Sequence, residues 1–284
     1  MRFGIILTLG DPRTAAALAS EAEQTGWDGV FTWDGMSVGA MDTYDPWVVM
    51  AAMAMTTGRV RLGAIITPPA RRRPWKLARE TMTLDRLSNG RLVLPVGLGA
   101  PDDKGFGNVG EPTSARVRAE LLDESLAILE GLWSGKKFAF EGRHYRFGPM
   151  VFRPTPVQQP RIPIWVVGAW PHKRSMRRVL RYDGVLPQLA EPAAVAEVAA
   201  YVAENRPPEL RDRPFDIVVE GTTPQEADAA REAVRPWAAG GATWWLESDW
   251  NARNVGALRT RILAGPPPDP RSAPHRPGPP RLLP

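Results

Sequence analysis

Apolar and polar positions along this chain follow two alternating rhythms. Short apolar runs read as strands, and each is followed by a stretch in which apolar residues recur every three or four positions, as on one face of a helix. Gly4 to Leu9 is the first such run. Asp11-Pro12 opens the helix after it, because Asp can cap free N–H groups and Pro suits a first turn. Gly26 closes that helix as a left-handed cap. Gly29 to Trp33 is the second strand, Asp45-Pro46 opens the second helix, and Val60 to Thr67 is the third strand. The third helix runs from Pro74 to Ser88 with Leu77, Thr81, Leu84 and Leu87 on one face, and Leu92 to Leu98 is the fourth strand. After a Gly-rich loop, a long helix from Thr113 presents Leu122, Leu126, Leu129 and Trp133 as its apolar stripe. Ile162 to Val167, Gly184 to Leu186, Phe215 to Val219 and Ala242 to Leu246 are the remaining strands. Thr223-Pro224-Gln225-Glu226 has the spacing of a capping box, and the last helix ends near Gly265.

Runs such as Leu62-Gly63-Ala64-Ile65-Ile66 and Ile164-Trp165-Val166-Val167 are apolar throughout, which suits parallel strands buried on both faces. Eight strand–helix units predict an α/β fold, a (β/α)8 TIM barrel, with an open doubly wound sheet as the competing arrangement. Residues 135–161 break the rhythm with Gly, Pro and aromatics, and predict an insertion before strand five that carries a hairpin. Residues 266–284 hold nine prolines among nineteen residues and predict a disordered tail after a domain spanning 1–265.

Composition then narrows the function classes. The chain has 284 residues, 43% hydrophobic and 24% charged, so a large core is expected. The absence of cysteine excludes disulfides, thiolate metal sites and a Cys nucleophile. His144, His172 and His275 lack metal-ligand spacing, so no metal is expected. No apolar run has membrane-spanning length and no signal peptide is evident, which makes the cytoplasm the default location. The net charge of +5 invites a nucleic-acid reading. Of that excess +2 lies after Gly265, the rest is interspersed with acids, and no nucleic-acid-binding motif is present.

Several ordered motifs carry a resemblance. Gly26-Trp27-Asp28-Gly29-Val30-Phe31-Thr32-Trp33-Asp34 and the stretch from Arg73 to Arg91, with its form R-x-P-x-x-L-A…L-D-x-L-S-x-G-R, resemble the bacterial luciferase-like flavin-dependent monooxygenases. So do Phe140 to Tyr145, Pro154 to Gln158, Pro163 to Gly168, and Tyr182-Asp183-Gly184. The resemblance spans about residues 3–265. It implies a TIM barrel holding reduced flavin mononucleotide (FMN), or the deazaflavin coenzyme F-420, at the C-terminal ends of its strands. It implies oxygen activation on a small organic substrate, or hydride transfer. It also admits a flavin reductase as partner and a homodimer through barrel helices. A barrel that binds cofactor without turnover is the non-enzymatic alternative.

The same resemblance assigns residues. At the end of strand three, Ala64, Ile65 and Thr67 are expected to support the ring, with a non-prolyl cis bond between Ala64 and Ile65. Gly97 and Gly99 end strand four, either as turn residues or to let backbone approach the ring closely. Gly168, Ala169, Trp170, Lys173 and Arg174 join strand five to its helix, where free N–H groups and positive charge suit a phosphate. Trp170 departs from the small residues usual there. Asp34, after strand two, is the catalytic candidate or else a loop cap. It is followed by Gly35 where the family often has histidine, and Ala100 stands where the deazaflavin dehydrogenases place glutamate. Trp33, Met36 and Trp47 are expected in a substrate pocket or in the core. Arg71, within Arg71-Arg72-Arg73, is expected to meet an anion of the substrate or cofactor, or to sit in a solvated loop.

Overall fold

The computed structural model describes residues 1–271. In chain order the first half comprises β1 (Arg2–Ile6), α1 (Pro12–Gln24), β2 (Gly29–Thr32), α2 (Pro46–Thr56), β3 (Arg61–Ala64), α3 (Pro74–Leu87), β4 (Leu94–Val96) and α4 (Ala115–Trp133). A hairpin of β5 (Phe138–Glu141) and β6 (Arg146–Met150) follows. The second half is β7 (Ile164–Gly168), α5 (Lys173–Val179), β8 (Gly184–Pro187), α6 (Ala193–Asn205), β9 (Asp216–Gly221), α7 (Ala227–Ala239), β10 (Trp244–Glu247) and α8 (Val255–Leu263).

Eight strands pair in the order β3-β2-β1-β10-β9-β8-β7-β4, every neighbour parallel. The bridges Leu62 to Leu92 and Thr67 to Val96 join the two end strands. The sheet therefore closes, and the expected (β/α)8 TIM barrel is the fold. The antiparallel hairpin β5-β6 lies in the expected insertion, whose return leg is tied down by Asp85 of α3. The buried Asp85 carboxylate accepts from the backbone N–H groups of Val157 and Gln158 at 2.7 and 3.1 Å.

The barrel interior explains several sequence choices. Phe31, Trp165 and Trp244 meet there, with ring centroids 5.4–6.1 Å apart. Such a plug needs space on the adjoining strands. A Cβ on Gly4 would lie 2.7 Å from both Phe31 and Leu246, and one on Gly63 would lie 3.1 Å from Phe31. Three large rings fit because the facing residues have no side chain.

Local signals matched local structure. Asp11 and Asp45 cap α1 and α2 through backbone N–H groups, and Gly26 takes φ +96°. The α4 stripe of Leu122, Leu126, Leu129 and Trp133 is buried. Four expectations are corrected. Leu87 is 44% exposed, and α3 instead buries Met82 and Asp85 beside Leu77, Thr81 and Leu84. Thr223 does not begin a capping box, since its N–H and hydroxyl donate to buried Glu247 at 2.8 and 2.7 Å. Glu226 itself caps α7. Pro267 and Pro270 are buried, so 266–271 pack with the body, and the rest of the expected tail lies outside the described residues.

The fourth correction concerns the end of strand three. The non-prolyl cis bond is Ile65–Ile66, one residue beyond the expected Ala64–Ile65. The reason is register. The Ile65 N–H still donates to the Thr32 carbonyl at 2.8 Å, so pairing with β2 runs through Ile65. Beyond it the Thr67 N–H turns to the carbonyl of Pro95 in β4, at 2.9 Å.

Candidate functional site

A cavity of about 1620 Å³ opens at the C-terminal ends of the barrel strands, where enzymes of this architecture place their chemistry. Its inner walls are apolar, formed by Ile65 and Ile66 after β3, Val167 of β7, Leu186 of β8 and Val218 of β9. Gly97 and Gly99 line it at the end of β4. Each glycine is demanded by a close neighbour. A Cβ on Gly97 would lie 2.4 Å from Ile66 Cδ1, and one on Gly99 would lie 2.6 Å from Phe106 Cζ. Gly99 also has φ +87°, a conformation in which other residues are strained.

Seven of the residues expected from sequence meet at this cavity: Trp33, Asp34, Ile65, Gly97, Gly99, Ala169 and Arg174. The others stand elsewhere. Ala64 remains in the β3 ladder, and Thr67 is fully buried with no partner for its hydroxyl among the described residues. Gly168 faces outward, where a Cβ would lie 2.8 Å from Met176 Sδ, so this glycine serves the packing of α5 on β7. Trp170 turns onto α6, donating from Nε1 to Glu197 at 3.0 Å and meeting the Tyr201 ring edge-on at 5.4 Å. Its bulk therefore leaves the backbone at Ala169 open to the cavity. Lys173 is exposed outside it. Trp47 is core, and Met36 is half-exposed outside the cavity lining.

Asp34 and Arg71 are engaged with each other. Asp34 is held by Arg71 at 2.9 Å and by Arg72 at 2.7 Å, and Arg71 also pairs with Asp103. The side chains of Arg71, Asp34 and Asp103 are 2–4% exposed. Asp103 further accepts from the backbone N–H groups of Met36, Ser37 and Gly105 at 2.9–3.1 Å. Burial alone would raise its pKa, but the Arg71 guanidinium and these N–H groups hold it down to about 2. Three loops, following β2, β3 and β4, are locked together by this network. Both carboxylate oxygens of Asp34 are thereby held by arginines.

Sequence reasoning passed over four cavity residues. Arg118 of α4 is 7% exposed, donates to the Leu98 carbonyl at 3.0 Å and lies over Phe106 at 4.7 Å. Its Nε has no partner among the described residues, and no carboxylate lies within 4.0 Å. Arg177 and Arg181 line the cavity from α5 and the residue pair beyond it. Their signal was present, as Arg174, Arg178 and Arg181 have helical spacing. Glu220 closes the apolar run of β9 and opens on the cavity, with no hydrogen-bond or ion-pair partner among the described residues. Desolvation raises its pKa. A polar residue ending an apolar barrel strand was the legible signal there.

The residues fit a flat, apolar ring that carries an anionic group. The inner walls offer aliphatic contact on several sides. The buried Arg118, with an unpartnered nitrogen and no counter-ion, offers a charge that the protein leaves unneutralised.

Comparison with known proteins agrees with this geometry. A family model described as luciferase-like monooxygenase matches residues 1–273, and the chain belongs to that family. A protein of Mycobacterium tuberculosis is 34% identical over 141 residues, covering 50% of this chain and 48% of its own. The chain thus spans about half the length of that relative. An F420-dependent glucose-6-phosphate dehydrogenase of Beutenbergia cavernae is 29% identical over 254 residues, covering 80% of this chain and 69% of its own. Among solved structures, a monooxygenase from Streptomyces bottropensis superposes with a TM-score of 0.76 at 20% identity, covering 93% and 98% of the two chains. A coenzyme F420-dependent tetrahydromethanopterin reductase from Methanopyrus kandleri has a TM-score of 0.70 at 16% identity, covering 93% and 96%. Both structures share the fold. No helix among the described residues is long and apolar enough to cross a membrane.

Proposed function

We propose that the chain is a flavin-dependent oxidoreductase, a monooxygenase that uses reduced FMN and oxygen on a small organic substrate. The carrying observation is the apolar cavity at the barrel mouth beside an unneutralised buried arginine. When bound, the reduced ring supplies the electron pair and the place where oxygen reacts. The protein's own part is to bind, orient and exclude water. Ile65, Ile66 and Val167 would flank the ring, and Gly97 and Gly99 leave backbone open to it. Arg118, Arg174 and the backbone at Ala169 would hold the phosphate. Trp33 and Trp250, packed edge-to-face with centroids 6.0 Å apart, would cover the substrate on the opposite side. Glu220, on the cavity side at the end of β9, is the carboxyl group placed to exchange a proton with a substrate. Asp34 takes no part in proton transfer, because both its oxygens are held by arginines. A flavin reductase would deliver the reduced FMN.

A second reading is hydride transfer with a deazaflavin. The arginines of α5 favour it, and so does the deazaflavin-dependent relative from Beutenbergia cavernae. Oxygen uptake separates the two. The protein is supplied with reduced FMN and a panel of small organic substrates, then with the reduced deazaflavin. Uptake coupled one-to-one to an oxygenated product supports the monooxygenase. Substrate reduction that needs the deazaflavin and consumes no oxygen replaces it with the second reading.

A further inference from the structure

Five acidic side chains line the cavity, and four of them, Asp34, Asp103, Glu120 and Asp123, are ion-paired with arginines. Glu220 is the fifth. Its side chain is open to the cavity and has no hydrogen-bond or ion-pair partner among the described residues. Desolvation by the surrounding walls raises its pKa, and no neighbouring charge offsets that push. The arginines that line the cavity come from α4 and from α5 and its continuation, beside β4, β7 and β8. Glu220 stands apart from them. In the closed strand order β9 lies four strands from β3 by either route, so Glu220 is across the mouth from Ile65 and Ile66. Trp250 follows β10, the neighbour of β9, and Trp33 follows β2. Both indoles line the cavity and meet at an interplanar angle of 82°. A ring resting on Ile65 and Ile66 therefore leaves a carboxylate and two indoles on its far side.

We propose that Glu220, with Trp33 and Trp250, forms a subsite for an organic cation, so that the substrate carries a protonated amine on an apolar body. The proposal deepens the functional reading above and rests on its placing the ring at Ile65 and Ile66. An ammonium group donates N–H bonds to the carboxylate and is drawn to indole faces, and both attractions depend on its charge. Leu186 and Val218, on β8 and β9, offer apolar contact to the hydrocarbon part. The described residues contain no group of three or more side chains able to hold a metal ion, so a single carboxylate here suits an organic cation rather than a metal. A substrate bearing its own carboxylate is repelled at the same place. Glu220 is thus the residue that sets specificity by charge.

The test is calorimetric titration of the full chain with three probes of matched size, benzylamine, benzyl alcohol and benzoate, at a pH where the amine is protonated. The titrations are run with and without FMN, whose binding is followed in parallel by ring fluorescence. Benzylamine is expected to saturate and to bind about tenfold or more tightly than benzyl alcohol, with benzoate weakest. Glu220→Gln is expected to lose about fivefold or more in amine affinity, with the alcohol changed less than about twofold. Glu220→Asp keeps the charge and is expected to keep the order of preference, which a merely structural role would not predict. Equal binding of amine and alcohol overturns the proposal, as does failure of all three probes to bind. A Gln variant that still prefers the amine as the parent does overturns it too. Amine preference that depends on Glu220, without FMN or deazaflavin binding, leaves the cation subsite standing and removes the ring reading. Ring binding without amine preference removes the cation subsite alone.

Discussion

Two charged regions border one cavity, and they are built in opposite ways. On the side of β2, β3 and β4, the buried charges answer one another. Arg71 and Arg72 face Asp34 and Asp103, and backbone N–H groups complete the shell. On the side of α4 and α5, Arg118, Arg174, Arg177 and Arg181 have no carboxylate within ion-pair distance among the described residues. The first arrangement stabilises loops, because paired and hydrogen-bonded buried charges are costly to separate. The second leaves potential available to a ligand. The difference separates arginines engaged within the protein from arginines left without a counter-ion, and the densest run in sequence, Arg71-Arg72-Arg73, supplies two of the engaged ones.

Substitutions that break this contrast should differ in kind as well as size. Arg71→Met strips Asp103 of its ion-pair partner and leaves Asp34 to Arg72 alone, inside a buried network. A loss of roughly 3–5 kcal/mol is expected in denaturant unfolding. Gly97→Ala introduces a Cβ where Ile66 Cδ1 stands 2.4 Å away. A cost of about 1–3 kcal/mol is expected from overpacking, together with weakened FMN binding measured by fluorescence.

Acid sharpens the comparison further. Asp103 binds its proton more weakly when folded than when unfolded, with a folded value of about 2. Its stabilisation is therefore present above about pH 4 and lost as pH falls toward about 2. The stability gap between the parent and Asp103→Asn should shrink over that window in urea titrations. Glu220 has the opposite sign. Its raised pKa means that ionisation above the ordinary glutamate range opposes folding. Glu220→Gln should raise Tm slightly at neutral pH, by less than about 3 °C, and the gain should vanish in acid.

Legibility followed the range of the interactions. Caps at Asp11 and Asp45 are set within three residues of the helix they start, and both were readable. The α4 stripe depends only on helical period, and it was readable too. The cis bond fell one residue late because its position is fixed by pairing with β2 and then β4, which sequence spacing does not reveal. Glu226 rather than Thr223 caps α7 because Thr223 is captured by Glu247, 24 residues away. Arg71 meets Asp34 and Asp103 across 37 and 32 residues, so its engagement was invisible before folding. Motif resemblance named seven of the residues that line the cavity, and the charge asymmetry around it emerged only once α4 and α5 were placed in the fold.

The central claim is that the barrel mouth holds a flavin-type ring. The direct measurement is a fluorescence titration of the purified protein with FMN and with coenzyme F-420, oxidised and reduced, repeated with Gly97→Ala. Saturable one-to-one binding of at least one of them, weakened by the substitution, is the predicted result. Failure of both compounds to bind, or binding that Gly97→Ala leaves untouched, would contradict it.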